Sequence, residues 1–404
     1  MNARYTCFCQ ISDLLEAEPS LREARQHLHQ FPELSFQEKS TAQWVGDRLE
    51  GWGYRVTRNV GGHGLVATLS NGEGRGIALR ADMDALPIHE ETGRPYASAH
   101  AGTMHACGHD GHTAMLMGAA QQLAKTRQFQ GTVHLVFQPA EEAGKNSGAQ
   151  QMIADGLFER FPCDAIFAAH NMPGVPAGQL VFIEGPAMAS SDDVTITLTG
   201  VGGHGAMPHR AQDPIVAAAA IVMTLQTIVS RNVDPQHTAV ITVGSLVAGK
   251  ANNVIPASAR LELSVRSLDR EVRDLLQSRI TSLVTAQAQS LGVLAQIDYK
   301  RDYPVLVNTA AETELARQVG TELLGAERIT RQGRPLTGSE DFAFMLEHCP
   351  GSYFMIGNGA GEGTGDSAVA HACMVHNPGY DFNDDILPVG AAFWALLTQR
   401  YLKD

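Results

Sequence analysis

Four short segments of this 404-residue sequence concentrate side chains able to hold divalent metals. The densest, His105-Ala-Cys107-Gly-His109-Asp110-Gly-His112, puts three histidines, one cysteine and one aspartate within eight residues. Thiolate and imidazole are preferred ligands of zinc and similar ions. Gly108 and Gly111 let the backbone turn so that neighbouring side chains converge. Gln138-Pro-Ala-Glu141-Glu142 directly follows an apolar run. Read as extended chain, it points adjacent side chains to opposite sides. The two carboxylates then divide into two jobs: one binds metal, the other takes a proton from water. His170 ends the apolar run 165–169, and Val375-His376-Asn-Pro-Gly-Tyr-Asp381 supplies a further histidine. Gly338-Ser-Glu340-Asp341-Phe342 is another acidic loop able to brace a site. Taken alone, the Glu pair reads first as solvated acids, and His170 and His376 as structural histidines. Together the segments supply one Cys, three or more His and two Glu. That is enough for two ions with an open position for water. A structural zinc uses four closed ligands and leaves no spare acid, so the surplus Glu favours catalysis.

These residues are far apart in the chain, so a fold must assemble them. Apolar residues at helical spacing (Leu21, Ala24, Leu28, then Trp44, Val45, Leu49) predict helices near the start. Glycine-bounded apolar runs at 64–69, 76–80, 131–137 and 165–169 read as buried strands. A long loop, 82–111, leads to a helix whose plausible N-cap is Asp110 or Thr113. Strands alternating with helices indicate an α/β layer with a largely parallel sheet. The segment 188–303 differs. Its strands alternate polar and apolar residues, as in Ala259, Leu261, Leu263 and Val265 against Arg260, Glu262, Ser264 and Arg266. The apolar helix 213–230, opened by Pro214, and the helix 269–291 complete a β-α-β-β-α-β order, the ferredoxin-like split unit. The expected fold is therefore an α/β, mixed-sheet catalytic domain over 1–187 and 304–404, interrupted at 188–303 by an inserted ferredoxin-like α+β domain.

Hydrophobic residues make up 44% and charged residues 18%, an ordinary globular composition. The net charge of −13 argues against nucleic acid and against an anionic membrane surface, both of which need clustered Lys and Arg. No apolar stretch approaches the ~20 residues of a membrane span. The first twenty residues carry Asp13, Glu16 and Glu18 and have no long apolar centre, so they do not read as a secretory signal and a cytoplasmic location is expected. The six cysteines (Cys7, Cys9, Cys107, Cys163, Cys349, Cys373) are sparse and uneven, better read as free thiols than as a disulfide frame.

The motifs Ala81-Asp82-Met-Asp84-Ala-Leu-Pro87, 104–112, Gln138–Glu142, Gly202-Gly-His204-Gly-Ala-Met-Pro-His209, Gly338–Phe342 and His376-Asn-Pro resemble, in order and over nearly the whole chain, the aminoacylase-type metallopeptidases of peptidase family M20. They are most similar to the branch holding hippurate hydrolases and plant indole-acetyl-amino-acid hydrolases. The resemblance implies hydrolysis of the amide bond of a small N-acyl amino acid. It implies two divalent ions (zinc, manganese, cobalt or nickel) held by Cys107, His109, Glu142, His170 and His376. Glu141 would be the general base, and Asp84 would orient a ligand from behind. His204 would polarise the scissile carbonyl, and Asn253 and Arg266 would contact the substrate's carbonyl or carboxylate. The inserted domain would act as lid and dimerisation domain of a homodimer. The chain departs from the wider family at Asp82-Met83-Asp84, where many relatives carry a His-x-Asp ligand pair, so which ligand bridges the metals stays open. Rival readings are a dipeptidase or carboxypeptidase of the same chemistry, a non-catalytic metal-binding protein, and a cysteine hydrolase with Cys107 as nucleophile.

Overall fold

The structure is a computed structural model that describes Leu14 and residues 18–361 and 371–403. Cys7, Cys9, Asp13 and Glu16 lie outside the described residues. The chain divides into two compact units: Met1–Gly185 with Val307–Arg334 and Phe344–Asp404, and Pro186–Leu306 with Pro335–Ala343.

The first unit is built on an eight-stranded sheet. Its first six strands are β1 (Arg55–Val60), β2 (Gly64–Asn71), β3 (Gly76–Asp82), β4 (Gly131–Gln138), β5 (Ala165–Pro173) and β6 (Leu180–Val181). Short strands β7 (Gly185–Met188) and β14 (Leu306–Asn308) mark the two changeovers in the chain, and β15 (Ile329–Thr330) and β16 (Gly351–Gly359) complete the sheet. The spatial order is β1-β2-β4-β3-β5-β16-β6-β15. β4, β3, β5 and β16 run parallel, while β1 and β2 join as an antiparallel edge. The sheet is therefore mixed rather than largely parallel. Its central strands β3 and β16 are buried along almost their whole length, with no exposed side to alternate with. Helices His109–Thr126 and Leu387–Tyr401 pack closely together. A Cβ at Gly390 would lie 2.0 Å from Met115 Sδ, so only glycine permits this approach.

The helix expected to start at Asp110 or Thr113 begins at His109, and neither residue caps it. Its N-cap is Gly108, at φ 94°, a left-handed conformation that glycine adopts freely. This early start puts His109 in the helix's first turn and His112 one turn further on. His170 does not end its strand but sits inside β5, which continues to Pro173. Glu141–Ala143 is a 3-10 turn, not extended chain. Ala140, at φ 51°, breaks β4's direction just before it.

The second unit carries β8 (Ser190–Thr199), β9 (Gly203–His204), β10 (Ala239–Ala248), β11 (Val254–Ile255), β12 (Ser258–Ser267) and β13 (Leu294–Arg301). β8, β10, β12 and β13 form an antiparallel sheet in the order β10-β12-β8-β13. With helices Pro214–Arg231 and Arg270–Ser290 the long elements follow β-α-β-β-α-β. Asp213 and Asp269 cap these helices through their carboxylates, each accepting a backbone N–H of the first turn. Helix Pro214–Arg231 is, against the sequence expectation, long and apolar enough to pass for a membrane span. Its Ala217, Ala218, Ile221, Leu225 and Ile228 are instead buried in this unit's core, with Leu261 and Leu276. The segment Pro335–Ala343, placed with the catalytic domain by the sequence reading, groups here because Ala189 N donates to the carbonyls of Leu336 and Gly338.

Candidate active site

The C-terminal ends of β3, β4 and β5 and the first turn of helix His109–Thr126 bring the metal-type side chains together. Ligand atoms of Cys107, His109 and His170 lie within 4.8 Å of one another. So do those of Cys107, Glu142 and His376. Cys107 belongs to both triads. Cys107 Sγ stands 3.3 Å from His170 Nε2, and His376 Nε2 stands 2.9 Å from Glu142 Oε1. Glu141 is buried and shares a third 4.8 Å group with His109 and Glu142. The two carboxylates thus meet at the same place, and the opposite-sides argument fails because the chain turns at Ala140.

The histidine ring orientations fix which nitrogen is open. His109 Nδ1 lies 2.9 Å from Asp84 O and 3.2 Å from Asp84 Oδ1. Both are acceptors, so Nδ1 carries the proton and donates. His109 Nε2 is buried and has no hydrogen-bond partner. In the same way His170 Nδ1 donates to Asn171 O at 2.6 Å and presents Nε2 to Cys107. Asp84 is itself held: Ser35 Oγ donates to its Oδ2 at 2.7 Å and Glu142 N at 3.0 Å. Metal-ligating histidines are oriented in this manner by carboxylates and carbonyls behind them.

Electrostatics point the same way. Burial, with Glu142, Glu141 and Asp82 nearby, pushes the Cys107 thiol well up. Burial pulls His109 down, but the carboxylates of Asp82 and Asp84 outweigh it and raise it to about 10. Burial and the neighbouring His112 push His170 well below its usual range. A buried cluster this rich in acids calls for positive charge, and a divalent ion turns a coordinating thiol into a thiolate outright. The donor set, the orphaned Nε2 of His109 and the excess of acids therefore fit divalent metal.

Several contributors escaped the sequence reading. His112 Nδ1 donates to Asp82 Oδ1 at 2.7 Å, and its Nε2 lies 2.7 Å from Asn171 Oδ1. Asn171 Nδ2 donates to Tyr380 Oη at 2.6 Å. Asp82 also accepts from Arg80 at 2.7 Å. A signal was available for Asn171, a fully buried amide in an apolar strand, because such groups must find partners.

His204, Asn253 and Arg266 belong to the second unit. His204 is exposed on β9, paired with Val254 on β11, and its Nδ1 accepts from Ala206 N at 3.0 Å. Asn253 O accepts from Gly205 N at 2.8 Å, so this residue and the His204 loop adjoin. Arg266 lies apart on β12, on the polar side of the strand, and donates to Ser339 Oγ at 2.9 Å.

Comparison with known proteins gives these clusters a context. Residues 78–400 match the model of peptidase family M20/M25/M40. The chain is 41% identical to a hippurate hydrolase of Campylobacter jejuni, over 97% of this chain and 99% of that one. It is 40% identical to an N-acetyl-L-cysteine deacetylase of Bacillus subtilis, over 85% and 82% of the two chains. Among solved structures it is similar to the Bacillus subtilis YXEP protein, a dinuclear metal-binding peptidase of family M20, with TM-score 0.82 and 32% identity over 96% of this chain and 99% of that one. Its motifs, its mixed-sheet α/β fold and these likenesses agree, and the chain belongs to peptidase family M20/M25/M40.

Proposed function

We propose that this protein is a metal-dependent amidohydrolase that cleaves N-acyl amino acids, hippurate-like compounds among them, into a carboxylic acid and an amino acid. The observation that carries the reading is the pair of ligand triads sharing Cys107, with the acid Glu141 beside them. The hydrolase and deacetylase names of its relatives support the substrate class.

In this proposal Cys107, His109, Glu142, His170 and His376 hold two divalent ions, of zinc, manganese, cobalt or nickel. When bound, such ions supply Lewis acidity and lower the pKa of water from 15.7 toward about 7. Glu141 takes the proton of the attacking water and passes it to the leaving amine as the amide bond breaks. Asp84 keeps the His109 ring in the tautomer that leaves Nε2 open. The resemblance assigns His204 to the carbonyl oxygen as negative charge develops there, and Asn253 and Arg266 to the substrate's carbonyl or carboxylate. A preorganised donor of this kind is commonly worth ~3–4 kcal/mol. The proposal extends to a cytoplasmic homodimer that uses the second unit as lid and dimerisation domain. The exposed Leu246 and Val247 on edge strand β10 support the dimer.

A panel of hippurate, N-acetyl-cysteine and dipeptides, offered to the metal-loaded protein with amino-acid release as readout, tests the reading. Turnover of the N-acyl compounds is expected. Cleavage of dipeptides alone would replace it with the dipeptidase or carboxypeptidase alternative.

A further inference from the structure

Glu38 immediately precedes helix Lys39–Gly51, in the position where an acid ordinarily caps its own helix. It makes no such cap. Its carboxylate is fully buried and turns to another segment: Oε1 accepts from Ala140 N at 2.8 Å, and from Phe36 N at 2.9 Å. Oε2 has no hydrogen-bond partner. A buried carboxylate half satisfied in this way is costly unless the bonds it does make are needed.

Its main partner is unusual. Ala140 holds φ 51° and ψ 46°, the left-handed region that an L-alanine avoids. The next residue is Glu141, the first of the 3-10 turn. Beyond the N–H bound by Glu38, the turn is fastened by Gly148 N donating to Ala140 O at 2.9 Å. A strained conformation persists only where its surroundings impose it, and strain of this kind concentrates at functional sites. Three residues upstream of Glu38, Ser35 donates to Asp84, which holds both His109 and the backbone of Glu142. One short N-terminal segment therefore grips the site at two points.

We propose that Glu38 is a positioning residue for the reaction: by accepting the Ala140 N–H it holds the left-handed turn that aims Glu141. This inference rests on the proposed role of Glu141 as base. Its function is that of a hydrogen-bond acceptor at fixed reach, so an amide of equal length should replace the acid and a shorter acid should not.

The test compares Glu38→Gln, Glu38→Asp and Glu38→Ala in the metal-loaded protein. For each variant, kcat and KM, bound metal, and hydrogen exchange at the Ala140 amide are measured. Glu38→Gln is expected to keep kcat within about threefold, whereas Glu38→Ala, with the base displaced by as little as 1 Å, should lose about 10²-fold in kcat. Glu38→Asp should fall between them and provides the reading should Glu38→Ala not fold. KM and metal stoichiometry should stay near wild type throughout, and exchange at Ala140 should quicken in the Ala and Asp variants only. Unchanged kcat in Glu38→Ala, equal losses in Glu38→Gln and Glu38→Ala, or loss of metal in step with activity would each overturn the proposal. A wild type without turnover would instead count against the proposed hydrolysis, and unchanged Ala140 exchange in the Ala variant would then still refute the clamp.

Discussion

In the proposed reaction Cys107 serves as a metal ligand and Glu141 as the base, and single substitutions separate these roles. Glu141→Gln keeps the size and polarity of the side chain but removes its basicity. It should retain bound metal and lose about 10²–10⁴-fold in turnover, the usual contribution of a positioned base. Near-normal turnover in that variant would refute the assignment. Cys107→Ala removes the donor common to both triads. Elemental analysis should show less metal per chain, and unchanged stoichiometry would count against Cys107 as a ligand. Side-chain type marked the segments of the proposed centre only jointly, with the dense run 105–112 as the clearest signal, and the assignment of individual ligands came from the family resemblance. The layer behind that centre gave no such signal. Ser35, Glu38, Asn171 and Tyr380 are unremarkable in a sequence and acquire meaning only from contacts across long stretches of chain. Glu141 and Glu142 do not face opposite sides, since strand alternation stops where Ala140 turns left-handed.

Helices and strands decide where those side chains can be. Glycine at 108 fixes the start of helix His109–Thr126, and a Cβ there would meet Asn171 Oδ1 at 2.2 Å. No side chain caps this start, so the cap-type residues Asp110 and Thr113 do not mark it. The same helix is tied to helix Glu18–Gln30 through His29, whose Nδ1 lies 2.8 Å from Asp110 Oδ2. Burial lowers the affinity of His29 for its proton, but hydrogen bonds to Asp110 and Glu90 outweigh that and raise it to about 9. Arg25 opposes the rise with its own charge, and His105 and Tyr96 are the other titratable groups that face the ring. A pKa raised from 6.5 to about 9 on folding gives stability that is fully present below pH 6.5 and lost as pH climbs through 9. The urea midpoint of the metal-free protein should therefore fall between these values, and more steeply than in His29→Gln. Parallel slopes for the two proteins would show that this pair does not contribute.

At the scale of the whole molecule, the alternation of strand and helix and the period-two strands of the second unit were readable because each reports one buried face or two. What could not be read was the reassignment of Pro335–Ala343, which depends on hydrogen bonds to Ala189 and on no local pattern. In the proposed reaction catalysis belongs to divalent ions and not to the Cys107 thiol acting as a nucleophile. Hippurate hydrolysis followed before chelation, after complete metal removal, and after return of zinc, manganese, cobalt or nickel decides this directly. Activity should vanish with the metal and come back with at least one of these ions, and turnover that survives in the metal-free protein would contradict it.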